Sequence, residues 1–363
     1  MNLKKRKLIL QIARFLGIKN LYKSLQKIAG ELTYEISQNH INDYRVIGHF
    51  VDTRGYKYPL LEGLRDYLKP NWRSMLQITD STISRHSPDQ LIEKLGSRQN
   101  TISVVENFIN IYSYSLKGSD VLEIGAFDGA TAYALASFGT NRVIGSDITQ
   151  YYLNQTPKSN NSFELAESIR KRMYSTRNAY KILQSEETRK KVQFIEDNIC
   201  TSSVRDNSFD VILSFEVLEH LTSPSKAFQE MHRILKPGGI SFHEYNPFFS
   251  ITGGHSLCTL DFLWGHARLS EYDFENYVNE FRPNEIDLAI SFYKNNLNRM
   301  TIKDLKRFAI KEGFLIRSII PWSNNHHLNV LSEEIINESL DYYPNVTEID
   351  FISPTIWILL IKV

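Results

Sequence analysis

The sequence predicts an α/β domain: a mostly parallel sheet with helices on both faces. Two observations carry that prediction. Between about Phe108 and Asn246, short apolar runs alternate with helically spaced segments. The first run, Val121-Leu-Glu-Ile124, opens directly into Gly125-Ala-Phe-Asp-Gly129. That turn holds two glycines, which take backbone conformations closed to other residues and let a ligand approach the main chain.

The strands follow in order at residues 121–124, 142–147, 192–197, 209–215 and 240–245, the fifth entered through Lys236-Pro-Gly-Gly239. Helices are expected between them at 130–138, 163–172 and 225–235. Residues 247–300 form a long aromatic segment with no strong strand pattern and read as an inserted lid. Its Phe248, Phe249, Phe262, Trp264, Tyr272, Phe274, Tyr277, Phe281, Phe292 and Tyr293 suit a mostly apolar cap. A capped helix at 301–312 ends at Gly313, and two further strands follow, at 314–320 and from Thr355.

Residues 1–107 read as an N-terminal helical extension. Leu8, Ile12, Phe15 and Leu16, then Leu21, Leu25 and Ile28, recur at helical spacing among eight lysines and arginines, with no acid before Glu31. Such a helix packs on its own protein with a solvated basic face, or lies on a membrane surface, and both readings stay open.

Composition narrows the function classes. Of 363 residues, 42% are hydrophobic and 23% charged, with a formal net charge of +1. A balanced charge supplies no global field to draw in nucleic acid, so none is expected as a partner. The two cysteines, Cys200 and Cys258, form no CxxC pair; they point to a reducing cytoplasm and away from a disulfide framework or a cysteine zinc site. Gln11 and Arg14 interrupt the apolar stretch at the start, which argues against an export signal. No apolar run approaches the roughly 20 residues that cross a bilayer.

The chemistry sits at the ends of the first strands. Asp147 closes the second strand about 20 residues past the glycine turn, where a carboxylate accepts hydrogen bonds from ribose hydroxyls. The turn is Gly-x-x-x-Gly with Phe127 inside it, so the GxGxxG dinucleotide fingerprint is not met. Further on come Asp197-Asn-Ile-Cys200, Ser208-Phe-Asp-Val-Ile-Leu-Ser-Phe-Glu-Val-Leu-Glu-His220 and Leu235-Lys-Pro-Gly-Gly239. With these in order, the chain resembles the class I S-adenosylmethionine-dependent methyltransferases, in particular the branch that includes ubiquinone-biosynthesis enzymes. The resemblance covers 108–246 strongly and the last third weakly.

The resemblance implies a Rossmann-like, seven-stranded sheet whose last strand runs antiparallel, with S-adenosylmethionine across the carboxyl ends of the first strands. Carried over by position, Glu123, Gly125, Ala126, Phe127 and Gly129 would hold the methionine end. Asp147 and Ile148 would take ribose and flank adenine. Asp197, Asn198 and Ile199 would meet the adenine ring, and Phe215 and Glu216 would line the floor near the methyl. The family often has glycine where Phe127 sits.

Methyl transfer asks chiefly for alignment, but a hydroxyl acceptor also needs a base or a metal to take up or release its proton. His220, His255 and His266 are the candidate bases. Glu216, Glu219 and His220, with His243 and Asn246 leaving the neighbouring strand, resemble turns that bind a divalent ion in some ubiquinone-pathway and small-RNA methyltransferases. Metal-free relatives carry the same letters, and a metal-free site is expected here. The expected function is methylation of a small biosynthetic molecule, on oxygen. The alternatives are methylation of RNA or protein, and a catalytically silent protein that keeps the fold for binding. Self-association is an open alternative.

Overall fold

The strand that leads into the glycine turn lies in the interior of a seven-stranded sheet, third in its order. The computed structural model describes residues 44–70, 72–73, 87–148, 162–323 and 325–363. Residues 46–363 form one compact unit. The basic amphipathic helix expected over the first 28 residues lies outside the described residues.

Ahead of the sheet, β1 (Val46–Val51) and β2 (Lys57–Leu61) pair as an antiparallel hairpin. α1 (Pro88–Asn110) follows. It starts at a capping box, in which Ser87 Oγ accepts from the Gln90 N–H while the Gln90 side chain accepts from the Ser87 N–H, and Pro88 occupies the first turn. Strands and helices then alternate: β3 (Asp120–Ile124), α2 (Ala130–Phe138), β4 (Arg142–Asp147), α3 (Ser162–Leu183), β5 (Val192–Glu196), β6 (Phe209–Phe215), α4 (Pro224–Ile234) and β7 (Leu235–Tyr245). After them come α5 (Glu271–Phe281), α6 (Ile286–Asn295), α7 (Ile302–Lys311), β8 (Phe314–Trp322), α8 (Glu333–Leu340) and β9 (Thr355–Lys362).

The sheet order is β5-β4-β3-β6-β7-β9-β8. Pairing is parallel from β5 through β7, and β9 runs antiparallel to both β7 and β8. The chain moves outward from β3 to β5 and then returns to β6 on the other side. That reversal opens a crevice at the carboxyl ends of β3 and β6, the switch point where open α/β sheets bind ligands.

Strand alternation divides the core. Leu122 and Ile124 face one layer with Phe228 of α4 and Leu305 of α7, whereas Val121 faces the other with Val105 and Ile109 of α1 and Leu135 of α2. A third core belongs to the segment after β7. Phe248, Phe262, Trp264, Phe274, Tyr277 and Tyr293 pack there with Phe50 and Tyr58 of the hairpin and with Ile335 of α8. Tyr58 stacks on Phe262 with ring centres 4.6 Å apart, and Phe274 stacks on Tyr293 at 4.0 Å.

Two expectations change here. Residues 46–61 are a hairpin rather than part of a helical extension, because Phe50, Tyr58 and Leu60 bury against the aromatic segment and strand alternation suits that half-buried face. No break falls at residue 107, since α1 runs through it to Asn110 and buries Ile102, Val105 and Ile109 on the sheet. Among the described residues, no helix is long and apolar enough to cross a membrane.

Because Phe262 joins the hairpin to the aromatic segment, Phe262→Ala is expected to cost about 3–5 kcal/mol in chemical denaturation. A loss below about 1 kcal/mol would show that the hairpin and the segment do not share a core.

Candidate functional site

β3 delivers the chain into the crevice through Gly125, whose φ is +76°. A Cβ built there would lie 2.4 Å from Val217 Cγ2, so a side chain meets both a disfavoured backbone and a packed neighbour. The N–H groups of Gly125 and Ala126 both donate to the Ser146 carbonyl at 2.9 Å, which ties the turn to the end of β4. Register completes the arrangement: Glu123 sits opposite Gly145, and Ile124 opposite Ser146.

The turn borders a cavity of about 500 Å³. Glu123, Gly125, Ala126, Phe127, Asp147, Ile148, Asp197, Asn198, Ile199, Phe215, Glu216, His220 and His255 all line it. Thus every candidate cofactor-binding residue except Gly129 lines the cavity, as do the candidate bases His220 and His255, whereas His266, Glu219, His243 and Asn246 do not. Gly129 starts α2 behind the turn, where a Cβ would strike the Phe194 ring at 2.6 Å. Its small size admits packing beneath the turn; it makes no part of the cavity wall. His266 is buried elsewhere: its Nε2–H donates to the carbonyls of Phe248 and Ser250, at 2.8 and 3.1 Å. Burial pushes its pKa down to about 4, and its work is to hold the chain after β7.

The electrostatics are those of buried groups awaiting partners. Glu123 Oε2 is buried without a hydrogen-bond partner, and burial first, with Asp128 and Asp147 nearby, pushes the carboxyl up to about 8. Arg98, on α1, lines the same cavity, pulls the Glu123 pKa down, and makes no hydrogen bond or ion pair among the described residues. Asp147 accepts the Phe127 N–H on Oδ2 at 2.7 Å and the Ile148 N–H on Oδ1 at 2.8 Å. Asp197 spends its carboxylate on the loop that follows, accepting from the Ser202 hydroxyl and from both the N–H and the hydroxyl of Ser203. Asn198 Oδ1 accepts the Cys200 N–H, so its amide NH₂ is the group left to face a ligand.

At the other side of the cavity the 3₁₀ turn Leu218–His220 separates three neighbours. Glu216 lines the cavity, and Glu219 turns inward, where Oε1 accepts the Asn246 N–H at 3.1 Å and Oε2 is unpartnered. Burial pushes Glu219 up to about 8. His220 donates Nδ1–H to the Asn296 carbonyl, which makes Nε2 the nitrogen carrying the lone pair. His255 comes from the segment after β7, with its ring centre 5.0 Å from that of His220, and its Nε2 is buried without a partner. Burial, reinforced by His220 and Lys69, holds His255 well below its ordinary pKa. Ligand atoms of Glu219, His220 and His255 lie within 4.8 Å of one another, a grouping that fits a divalent cation. Glu216 is not among them. His243, seen from the sequence as a neighbour, is buried in the sheet between the hydroxyls of Ser214 and Ser241, both at 2.6 Å.

Backbone strain gathers here too. Six described residues other than glycine have positive φ, and three of them, Phe127, Glu216 and His255, line the cavity. Sequence reading passed over Lys94 and Arg98, which stand four apart on α1 and line the cavity, with Lys94 paired to Asp128. The Ser-Pro-Asp-Gln capping box was the available signal for that helix.

Residues 122–242 match the sequence model of a family described as a methyltransferase domain. An uncharacterized methyltransferase of Mycobacteroides abscessus is 23% identical over 244 residues, which cover 67% of this chain and 80% of the relative. One from Mycolicibacterium gilvum is 33% identical over 67 residues, 18% of this chain and 26% of the relative, so the match spans about a quarter of that protein. A solved S-adenosylmethionine dependent methyltransferase from Mesorhizobium loti aligns with a TM-score of 0.39 at 11% identity, covering 70% of this chain and 96% of that one.

The structural role of His266 is open to measurement. His266→Ala strips the hydrogen-bond donor from two buried carbonyls, and a loss of about 1–3 kcal/mol in unfolding free energy is expected. Unchanged stability would return His266 to the list of candidate bases.

Proposed function

We propose, from the premise that this chain carries a class I S-adenosylmethionine-dependent methyltransferase domain, that it methylates a small-molecule acceptor on oxygen, with His255 as the base. The observation that carries this reading is that one cavity is lined by Glu123 and His255, whose buried Oε2 and Nε2 have no hydrogen-bond partner among the described residues.

The residues fit the cofactor by their chemistry. Glu123 would receive the ammonium of the methionine moiety and Arg98 its carboxylate, because Glu123 Oε2 has no hydrogen-bond partner and Arg98 makes no hydrogen bond or ion pair among the described residues. Asp147 would accept from the ribose hydroxyls. The Asn198 amide would face adenine, with Ile148 and Ile199 as its apolar neighbours. When bound, S-adenosylmethionine supplies a methyl group on a sulfonium leaving group, so the protein need not build one. Phe215 and Glu216 would line the floor beneath that methyl. His255 stays neutral in its buried setting and offers Nε2 to the hydroxyl proton of the acceptor as its oxygen takes the methyl. Phe292 and Leu257 supply apolar walls around the acceptor.

A second reading rests on the convergence of Glu219, His220 and His255. Those residues would hold a divalent cation, which when bound lowers the pKa of an acceptor hydroxyl. His220 fits this role, since its Nδ1–H bond to Asn296 fixes the ring as a ligand through Nε2.

Four measurements test these readings. Arg98→Ala should weaken S-adenosylmethionine binding about 10-fold or more in calorimetry, in line with the loss of a charge-assisted hydrogen bond; unaltered affinity removes Arg98 from the site. With methyl-labelled cofactor and a small-molecule extract, label should appear in a low-molecular-weight ether. Label in RNA or protein, or binding without turnover, would replace this reading with one of the alternatives. His255→Asn, which tolerates the left-handed backbone, should lower turnover about 100-fold while cofactor affinity holds. Activity should survive dialysis against a chelator. Loss on chelation, restored by zinc or magnesium together with one bound metal per chain, would favour the second reading.

A further inference from the structure

Arg177 lies on α3, within the matched residues 122–242 but outside the motifs quoted from the sequence. It is 6% exposed. Its guanidinium rests 4.4 Å over the Phe194 ring, directly beneath the glycine turn. Nε donates to the Phe127 carbonyl at 2.8 Å, and Nη2 stands 3.7 Å from Asp147 Oδ2. Phe127 closes the circuit by donating its own N–H to that same Oδ2 at 2.7 Å. Phe127 therefore has both its N–H and its C=O held, at a φ of 40° that a phenylalanine rarely takes.

We infer that Arg177 is the positioning residue of the ribose subsite, acting through Asp147 and Phe127. The inference rests on the reading of Asp147 as the ribose acceptor. Aiming is the first part of the role. An oxygen that must accept hydroxyl hydrogen bonds needs a fixed direction, and the Arg177–Phe127–Asp147 circuit fixes it through Arg177, which does not itself line the cavity. Charge is the second part. A buried guanidinium 3.7 Å away sets a positive charge beside the carboxylate, and a charged acceptor makes the stronger hydrogen bond. The spacing matters as well. At that distance Nη2 does not occupy Oδ2 as a hydrogen-bond donor would, and Nη2 has no hydrogen-bond partner among the described residues. Arg177 lends Asp147 its charge without consuming the lone pair that the ribose needs. Lysine could supply the charge but not the simultaneous bond to Phe127, because it has no planar fork.

The test uses S-adenosylhomocysteine and its 2′,3′-dideoxy analogue, titrated calorimetrically into the full-length protein, its D147A variant, and R177K and R177M. The unmodified protein should prefer the hydroxylated ligand by about 10- to 100-fold, the range of a hydrogen bond to a charged group, and D147A should abolish that preference. R177M should bring the preference to within about 3-fold while affinity for the dideoxy analogue changes little, and R177K should fall between. A purely structural Arg177 would lower both affinities together and leave their ratio unchanged, which would overturn the inference. Should R177M not fold, R177K decides alone, and an undiminished ratio there also overturns it. If the unmodified protein shows no preference, or D147A keeps it, the ribose reading of Asp147 itself fails, and this inference with it.

Discussion

The close approach of β3 to Val217 is the constraint on which the rest of the site depends. A Cβ at Gly125 would lie 2.4 Å from the Val217 methyl, so only a residue without one lets the chain turn there. Once turned, Gly125 and Ala126 are tied to Ser146 at the end of β4, and the Phe127 N–H reaches Asp147. Parallel pairing does the remainder, because β3, β4 and β6 all end on the same edge and their loops are brought into one crevice. The cavity is a product of strand direction first and of side chains second.

The cavity wall is built from two different kinds of structure. Sheet ends supply Glu123, Asp147 and Phe215, on strands whose faces are buried in two aliphatic cores. The far wall, with His255 and Phe292, comes from the segment after β7, which has an aromatic core shared with the hairpin. Buried ion pairs fasten that segment, Arg65 to Glu285 at 2.7 Å and Arg268 to Glu338 at 2.9 Å. Such pairs contribute little net stability but make any mispairing costly, so they specify one arrangement. The wall built on the sheet and the wall built on the segment after β7 rest on separate cores, so the second can vary without disturbing the first.

Unpartnered buried polar atoms are costly, and they gather here. Glu123 Oε2, Glu219 Oε2 and His255 Nε2 each lack a hydrogen bond among the described residues, and Phe127, Glu216 and His255 have strained backbones beside them. Burial drives the carboxyls toward neutrality and the imidazoles away from charge. The site is thus held in an electrostatically unfinished state that a charged or protic ligand would complete.

The sequence by itself determined the strand and helix order from β3 to β7, the glycine turn, and the acids that end the strands. These are local patterns: period-two alternation, a capping residue, a glycine where no side chain fits. It showed neither the hairpin at 46–61 nor α1 with Lys94 and Arg98, although the Ser87 capping box was there to be read. Tertiary structure alone separates the surroundings of the histidines. His220, His255 and His266 look alike in the sequence, but a histidine's role is set by what meets its two nitrogens. Carbonyls of Phe248 and Ser250 take up His266, a carbonyl fixes His220, and His255 is left with a buried nitrogen facing no partner. Those partners lie up to 76 residues away along the chain, a distance at which no local pattern carries information.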